Sequence, residues 1–95
     1  MARDELVEIE LGDVESIEQL QERLMKQLGF PDWYGRNWNA FWDAITALVD
    51  MPFVLRLKDW SEFARCFPRD ATLMAECLQD MARLYPTLAS HVEQM

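Results

Sequence analysis

The sequence predicts an α/β domain with a three-stranded parallel sheet and about four helices. Along the chain the patterns read strand, helix, helix, strand, helix, helix, strand. Helical connections between consecutive strands favour parallel pairing with right-handed crossovers. The 95 residues, 51% of them hydrophobic, suffice for one core but not for two. Residues 1–95 are therefore expected to form a single domain.

The first strand and the first helix are indicated by their spacing. Residues 6–11 alternate between apolar and charged side chains, as a strand with one wet face does. Ser16 and Gln19 have the spacing of a capping box, in which Gln19 reaches back to the cap. Apolar residues then recur at intervals of three and four. Gly29 is expected to end the helix, because glycine tolerates the left-handed geometry found there.

A tight turn at residues 30–37 leads into the second helix. Gly35 is expected to supply the backbone freedom of this turn. Asn37 or Asn39 is expected to cap the helix that follows. The helix is predicted to end near Asp50, because the proline two residues later disfavours helical geometry before it.

The second half of the chain predicts a buried strand, two helices and an edge strand. Residues 53–57 are nearly continuous in apolar character, which is typical of a buried strand. Asp59 is expected to open a capping box, Pro68 to stop this short helix and Thr72 to cap a longer one. Residues 87–93 alternate as a final edge strand would, although a frayed tail has the same pattern.

The second helix has two different faces when its residues are placed at about 100° each. An apolar arc of roughly 120° is suited to anchoring the helix to a core. A polar arc of roughly 60° would hold carboxylates, an amide and a hydroxyl towards a partner, although a solvated helix looks similar. The apolar arc contains Trp38, Phe41, Trp42, Ile45, Leu48 and Val49, and the polar arc contains Asn39, Asp43, Thr46 and Asp50.

The charge balance limits the kinds of partner. With 17 acidic and nine basic residues, the net charge is −8. This argues against direct binding of nucleic acid and fits a basic protein partner, although acidity also simply favours solubility. No secretory signal and no membrane-spanning stretch is apparent. The chain is expected to be cytoplasmic, without a membrane partner, and monomeric when free.

No catalytic site, metal site or cofactor is predicted. His91 is the only histidine, and no Cys or Ser is placed to pair with it. Asp43 and Asp50 lie seven apart on one convex helix, a poor geometry for gripping a substrate. Cys66 and Cys77 lack the spacing of a metal site and are expected to be reduced core thiols.

Aromatic residues cluster around the turn. Trp38 lies inside the apolar arc and is expected to pack in the core. Trp33 and Tyr34 lie in the turn itself, where large side chains are harder to bury. Exposed Tyr and Trp are the residue types that anchor interfaces, so these two are candidate contacts with a partner.

Residues 31–43 resemble the barstar family of intracellular ribonuclease inhibitors, and the likeness continues through Thr46 and residues 52–55. The shared pattern is a Pro, an acidic residue, an aromatic, Tyr-Gly, a variable residue, Asn, an aliphatic, a polar or acidic residue, then Trp-Asp. The resemblance implies a small three-stranded parallel sheet packed with helices. It also implies that the turn and the second helix plug the active site of a basic ribonuclease.

The resemblance further implies which residues contact the enzyme. Asp43 takes the position of the family's central aspartate, which meets the enzyme's catalytic cations. Asn39 stands where the best-known member has a second acid, and Leu48 where a tryptophan is familiar. Trp33 replaces a tyrosine that packs on the enzyme, and Asp80 takes the place of a further acidic contact. The predicted partner-binding residues are Trp33, Tyr34, Gly35, Asn37, Asn39, Trp42, Asp43, Thr46 and Asp80.

Two functions follow from this reading. The first is a non-enzymatic inhibitor that blocks a barnase-like ribonuclease or a related toxin. The second is an interaction or regulatory module that uses the same scaffold to bind a protein that is not a nuclease. The departures at Asn39 and Leu48 motivate the second.

Overall fold

The computed structural model describes residues 3–95, and its elements follow the predicted order. The strands are β1 (Leu6–Glu10), β2 (Val54–Lys58) and β3 (His91–Gln94). The helices are α1 (Ile17–Leu28), α2 (Trp38–Asp43), a π-helix (Ala44–Leu48), α3 (Trp60–Cys66) and α4 (Pro68–Leu84). The prediction of an α/β protein with three parallel strands and about four helices is confirmed.

The sheet is parallel throughout, with the strand order β1-β2-β3. The register aligns Leu6 with Val54 and Val54 with His91. β2 is therefore central, as its nearly continuous apolar character predicts, and Leu55 and Leu57 on it are fully buried. The third strand, predicted within residues 87–93, is present as β3. It begins only at residue 91, because residues 86–88 form a turn.

The helices cover one face of the sheet. Residues paired across parallel strands point to the same face, and the row of Val7, Leu55 and Val92 faces the core. The next row faces solvent and consists of Glu8, Arg56 and Glu93. The Arg56 guanidinium bonds both carboxylates, at 2.8 Å to Glu93 and 3.2 Å to Glu8. Charged side chains thus occupy the open face, and α2 lies on the other side.

A single core joins the sheet to the helical layer. Each of α1, α2 and α4 contributes side chains that are at most 2% exposed. The helices of residues 3–95 fall short of the length and apolarity that a bilayer-spanning helix needs. The largest fully buried side chains are Ile9, Leu11, Leu20, Leu24, Phe41, Ile45, Met51, Leu55, Leu57, Phe63, Met74 and Met81.

The caps of α1 are close to those predicted. The Ser16 Oγ accepts a hydrogen bond from the Gln19 backbone N–H at 3.1 Å, which confirms Ser16 as the N-cap. The Gln19 side chain accepts from the N–H of Glu15, at 2.7 Å, and not from Ser16. The reciprocal half of the predicted capping box is therefore displaced by one residue. Gly29 ends the helix with φ 75°, as predicted.

The predicted caps of α3 and α4 are wrong. Asp59 precedes α3 in the left-handed region, with φ 58°, and its side chain makes no capping bond. Pro68 follows the end of α3 but is itself the first residue of α4, where its fixed φ suits a helix start. Thr72 lies inside α4, and its hydroxyl donates to the Pro68 carbonyl at 3.0 Å.

The Arg3 side chain bonds the two segments that lead into β2 and β3. Its Nε donates to the Met51 carbonyl at 2.7 Å, and its Nη1 donates to the Thr87 carbonyl at 3.1 Å. The guanidinium also lies 4.3 Å from the centre of the Phe53 ring. Further bonds run from Nη2 to the carbonyls of Pro52, Leu88 and Ala89. One side chain thus fixes the segments that enter β2 and β3.

Two carboxylates converge at the carboxyl ends of β1 and β2. The Glu10 Oε1 accepts from the Gly12 N–H at 2.9 Å. A Cβ at residue 12 would lie 2.6 Å from the Asp59 Oδ2, so glycine is needed for space. The pKa of Asp59 is raised by a hydrogen bond with Glu10 and by the negative charge of Glu10. The pKa of Glu10 is lowered by its hydrogen bonds with the Gly12 N–H and with Asp59. The surrounding charges are those of Lys58, Asp13 and Glu62.

Replacing Asp59 by Asn is expected to raise the melting temperature slightly at pH 7. The raised pKa means that the folded protein binds this proton more tightly than the unfolded chain. Ionised Asp59 therefore destabilises the fold at neutral pH, and this effect disappears as the pH falls towards its ordinary value of 3.8. Asparagine tolerates φ 58° and donates to Glu10 without carrying charge.

The measurement is thermal unfolding of Asp59→Asn between pH 4 and pH 7, with Glu5→Gln as a control that removes one exposed negative charge elsewhere. The gain from Asp59→Asn should shrink as the pH falls. An equal gain at every pH, or the same gain in Glu5→Gln, would show that the Glu10–Asp59 pair is not its cause.

Candidate functional site

The turn before α2 places its unusual backbone at Arg36. Arg36 has φ 54°, whereas Gly35 does not have a positive φ. The prediction that Gly35 supplies the conformational freedom is therefore wrong. A Cβ on Gly35 would lie 3.1 Å from the Ala40 Cβ and 3.3 Å from the Asn37 Nδ2. Glycine is favoured there because a Cβ would be crowded against the first turn of α2.

Arg36 is held in this conformation by bonds to two neighbours. Its Nε donates to the Glu22 Oε1 at 2.6 Å, and its Nη1 donates to the Tyr34 carbonyl at 3.2 Å. The role of Arg36 could not be predicted from the sequence, because no spacing rule relates a turn residue to a helical residue 14 positions earlier. The contact joins the turn to α1.

Asn37 caps α2, which settles the two alternatives. Its Oδ1 accepts from the Ala40 N–H at 2.7 Å, and its Nδ2 donates to the Gly35 carbonyl at 3.1 Å. Gly35 and Asn37, both predicted to contact a partner, therefore shape the turn. Gly35 does so by its close packing, and Asn37 by the bonds of its side chain to the backbone. Asn39 is left with an exposed side chain on the first turn of the helix.

Tyr34 is buried, so the expectation that it is exposed in the turn is wrong. Only 2% of it is accessible, and its ring packs 4.8 Å from that of Phe30. The hydroxyl donates to the Gln21 Oε1, and burial raises the pKa of the hydroxyl. The Gln21 Nε2 is buried without a partner among residues 3–95. The Tyr34 side chain therefore supports the turn from inside and offers almost no area to a partner.

Trp33 and Trp38 differ in their surroundings. Trp33 is 72% exposed, the largest exposed fraction among the large hydrophobic side chains of residues 3–95. Trp38 is half-buried, with its ring 5.3 Å from that of Phe41 and its Nε1 donating to the Asp70 Oδ1 at 2.9 Å. Trp38 therefore fixes α2 on α4, and Trp33 remains available for contact.

The polar face of α2 is held rigidly and points outward. Asn39 and Asp43 are exposed, and neither side chain has a hydrogen-bond or ion-pair partner within residues 3–95. The opposite face is anchored by Phe41, which is fully buried. Thr46 is half-buried, and its hydroxyl donates to the Trp42 carbonyl at 2.7 Å. An uncompensated carboxylate and an amide thus project from a fixed backbone.

The second helix changes type after Asp43. The Val49 N–H bonds the Ala44 carbonyl at 3.2 Å, a separation of five residues that defines the π-helix. Positions calculated at about 100° per residue therefore do not apply beyond this point. Leu48, predicted in the apolar arc, is 42% exposed, and Asp50, predicted in the polar arc, lies outside the helix.

A groove of about 310 Å³ between α2 and α4 brings together three predicted contact residues, Asn39, Trp42 and Asp80. Asp80 also bonds Arg83 at 3.3 Å in an exposed pair, which contributes little to stability. The groove includes Glu76, which the sequence analysis missed although it lies one helical turn before Asp80. The lining residues are Trp38, Asn39, Trp42, Leu73, Glu76, Cys77 and Asp80.

The two cysteines differ in their surroundings. Both are free, but Cys66 is exposed, so the prediction that both are core thiols is wrong for it. Burial, with smaller effects from the carboxylates of Asp80 and Glu76, raises the pKa of the Cys77 thiol. Within residues 3–95, no three His, Cys, Asp or Glu side chains are placed to hold a metal ion.

The fold and this surface define a small α/β protein whose helical layer presents an aromatic turn and an acidic helix face. The family model described as Barstar (barnase inhibitor) matches residues 5–93. The chain belongs to the barstar family, which confirms the resemblance found around residues 31–43.

A relative gives a second comparison. The chain is 49% identical over 55 residues to a Bacillus subtilis (strain 168) protein named "Putative ribonuclease inhibitor YrdF". The match covers 58% of this chain and 59% of the relative. The chain thus spans less than two thirds of the length of that protein.

Proposed function

We propose that this protein is a non-enzymatic inhibitor that binds a barnase-like ribonuclease one to one and blocks its active site. The observation that carries the proposal is the exposed surface formed by Trp33, Asn39 and Asp43 on a rigid turn and helix. Membership of a family described as barnase inhibitors supports it. The name of the Bacillus subtilis relative points to the same class of target.

The proposed blocking action follows from the chemistry of RNA cleavage. An enzyme that cleaves RNA must hold a phosphate group with cationic side chains. The Asp43 carboxylate would offer those cations a negative charge in place of the phosphate, without a bond that the enzyme can cleave. Because Asp43 has no ion-pair partner within residues 3–95, no internal contact has to break first.

The rigidity of the surface favours tight binding. Phe41 and Ile45 fix the inner side of the helix, so its outer side chains lose little backbone freedom when a partner binds. Trp33 adds a large apolar area at the edge of the polar face. The aromatic side chain would supply much of the buried area, while Asp43 supplies the charge.

The net charge of −8 favours rapid association with a basic enzyme. Exposed charges are screened by salt over about 10 Å at 0.1 M, so the association rate should fall as salt is added. The two free cysteines fit a reducing compartment, such as the cytoplasm, as the place where the inhibitor acts.

The test is a titration of the protein into barnase, with RNA cleavage followed at low and at physiological salt. Inhibition should reach an endpoint at one inhibitor per enzyme, and the association rate should fall as salt rises. Undiminished cleavage at large excess of the protein would contradict the proposal. It would favour the alternative that the departure at Asn39 belongs to an interaction module for a protein that is not a nuclease.

A further inference from the structure

The edge of the sheet at β3 is open. β3 pairs with β2 on one side only, and the N–H groups of His91 and Met95 bond carbonyls on that side. Successive residues of a strand direct their backbone groups to opposite sides, so Val92 and Gln94 direct theirs away from β2. These N–H and C=O groups have no partner among residues 3–95. They are therefore available to pair with another strand.

The opposite edge of the sheet, at β1, is protected. The Arg23 guanidinium donates to the Glu10 carbonyl on that edge. An antiparallel copy of β1 laid against it would also bring Glu8 and Glu10 close to the same acids of the copy, which destabilises pairing. Charged side chains and covered carbonyls are common means of protecting an edge strand. Of the two edges, β3 is thus the one left open.

A groove of about 340 Å³ lies between the open edge and α4. The α4 side of this groove includes two alanines, Ala75 and Ala82, whose small side chains leave space beside the edge. Glu76 and Asp80 line the other groove, towards α2, so the two grooves use different faces of α4. The open edge is therefore separate from the surface proposed to bind the ribonuclease. The residues that line the groove beside β3 are Ala75, Leu78, Gln79, Ala82, Ser90, His91, Val92 and Gln94.

We propose that β3 pairs antiparallel with β3 of a second copy of this chain, around a twofold axis at Val92. Two sheets would then join into one, and the contact would be the same on both copies. In this register Val92 lies opposite Val92 of the second copy, and Gln94 lies opposite Ser90. The backbone groups that point away from β2 would thus bond one another. The proposal differs from the monomer expected from the sequence.

Charge selects this register. His91 and Glu93 lie on the open face of the sheet, and with the axis at Val92 each His91 is opposite Glu93 of the second copy. A histidine ring can donate a hydrogen bond to a carboxylate, and it carries a positive charge when protonated. Moving the axis by one residue would place Glu93 opposite Glu93 or His91 opposite His91. Like groups opposite each other disfavour both alternatives.

The test is sedimentation equilibrium at physiological salt, which screens the repulsion between two copies of net charge −8. Wild-type protein should dimerise as its concentration rises to roughly 1 mM, since an interface of one strand pair is weak. His91→Glu should weaken dimerisation about tenfold, because the twofold axis places two Glu–Glu pairs in the interface. His91→Lys should strengthen it a few-fold for the opposite reason.

Matched controls separate the strand contact from net charge. Gln27→Glu and Gln27→Lys introduce the same charges at an exposed position on α1, which contacts β1, and should leave dimerisation nearly unchanged. Gln94→Pro removes one N–H that points away from β2 and should abolish the dimer, whereas Gln94→Ala keeps that N–H and should dimerise. Thermal unfolding establishes that each variant is folded.

The outcomes decide the proposal independently of the inhibitory function. Wild-type protein that stays monomeric throughout the concentration range would overturn it. So would an equal effect of His91→Glu and Gln27→Glu, or a folded Gln94→Pro that dimerises as wild type does. If Gln94→Pro does not fold, the His91 variants decide. Titration into barnase should give the same inhibition for His91→Glu as for wild type, because the open edge lies outside the surface of Trp33, Asn39 and Asp43.

Discussion

Replacing Asp43 by Ala is expected to weaken binding to the ribonuclease by about 2–5 kcal/mol. This range is not independent of the family, because it includes measurements on the complex of barnase with barstar. Removing the carboxylate would leave a cationic group of the enzyme buried in the interface without its counter-charge. The melting temperature should change little, because Asp43 is exposed and its side chain bonds no other group of residues 3–95. Competition titration with wild-type protein measures the loss.

A matched control for Asp43 is Glu5→Ala, which removes one exposed negative charge just before β1. This variant should bind nearly as tightly as wild type, with a slightly slower association. Equal weakening by both variants would mean that only net charge matters. A large drop in melting temperature of Asp43→Ala with intact binding would contradict the assignment of Asp43 to the interface.

Replacing Tyr34 by Ala is expected to destabilise the fold by about 3–5 kcal/mol, the usual loss for a large buried aromatic. Tyr34 is 2% exposed, packs on Phe30 and bonds Gln21, so its removal opens a cavity and leaves a buried amide without its partner. A domain of this kind is stable by about 5–15 kcal/mol in total, so the loss is a large fraction. Urea denaturation measures it.

Two gentler variants separate packing from hydrogen bonding at this position. Tyr34→Phe removes only the hydroxyl and should cost about 1–3 kcal/mol, because the Gln21 oxygen stays buried without a donor. Adding Gln21→Leu should recover part of that loss, since it also removes the Nε2 that is buried without a partner among residues 3–95. Folded Tyr34→Phe should still inhibit normally. Weakened inhibition with unchanged stability would instead place Tyr34 at the interface.

Features set by local rules could be predicted from the sequence. Alternation and continuous apolar character located β1 and β2, because the two-residue period of a strand is fixed by its backbone. Ser16 and Gly29 bounded the first helix, since capping depends on residues within one turn. The exposure of Trp33, Asn39 and Asp43 also agreed with their positions in the turn and on the first part of the helix.

Features that depend on distant contacts could not be predicted in this way. The burial of Tyr34 requires Gln21, which lies 13 residues earlier on another helix. Arg36 adopts a positive φ while it bonds Glu22 across the turn, and that conformation is not inferable from the presence of Gly35 alone. Glu76 enters the groove only because α4 packs against α2. Each case needs tertiary packing that no local pattern encodes.

The π-helix separates two ways of changing this surface. Asp43 precedes it, and Leu48 is its last residue. Deleting one residue within Ala44–Leu48 would shorten the π-helix and rotate the side chains that follow it around the helix axis, while Asp43, which precedes it, would keep its place. The charge at residue 43 can thus be changed by point substitution alone, whereas the orientation of Leu48 also depends on the length of the chain between them.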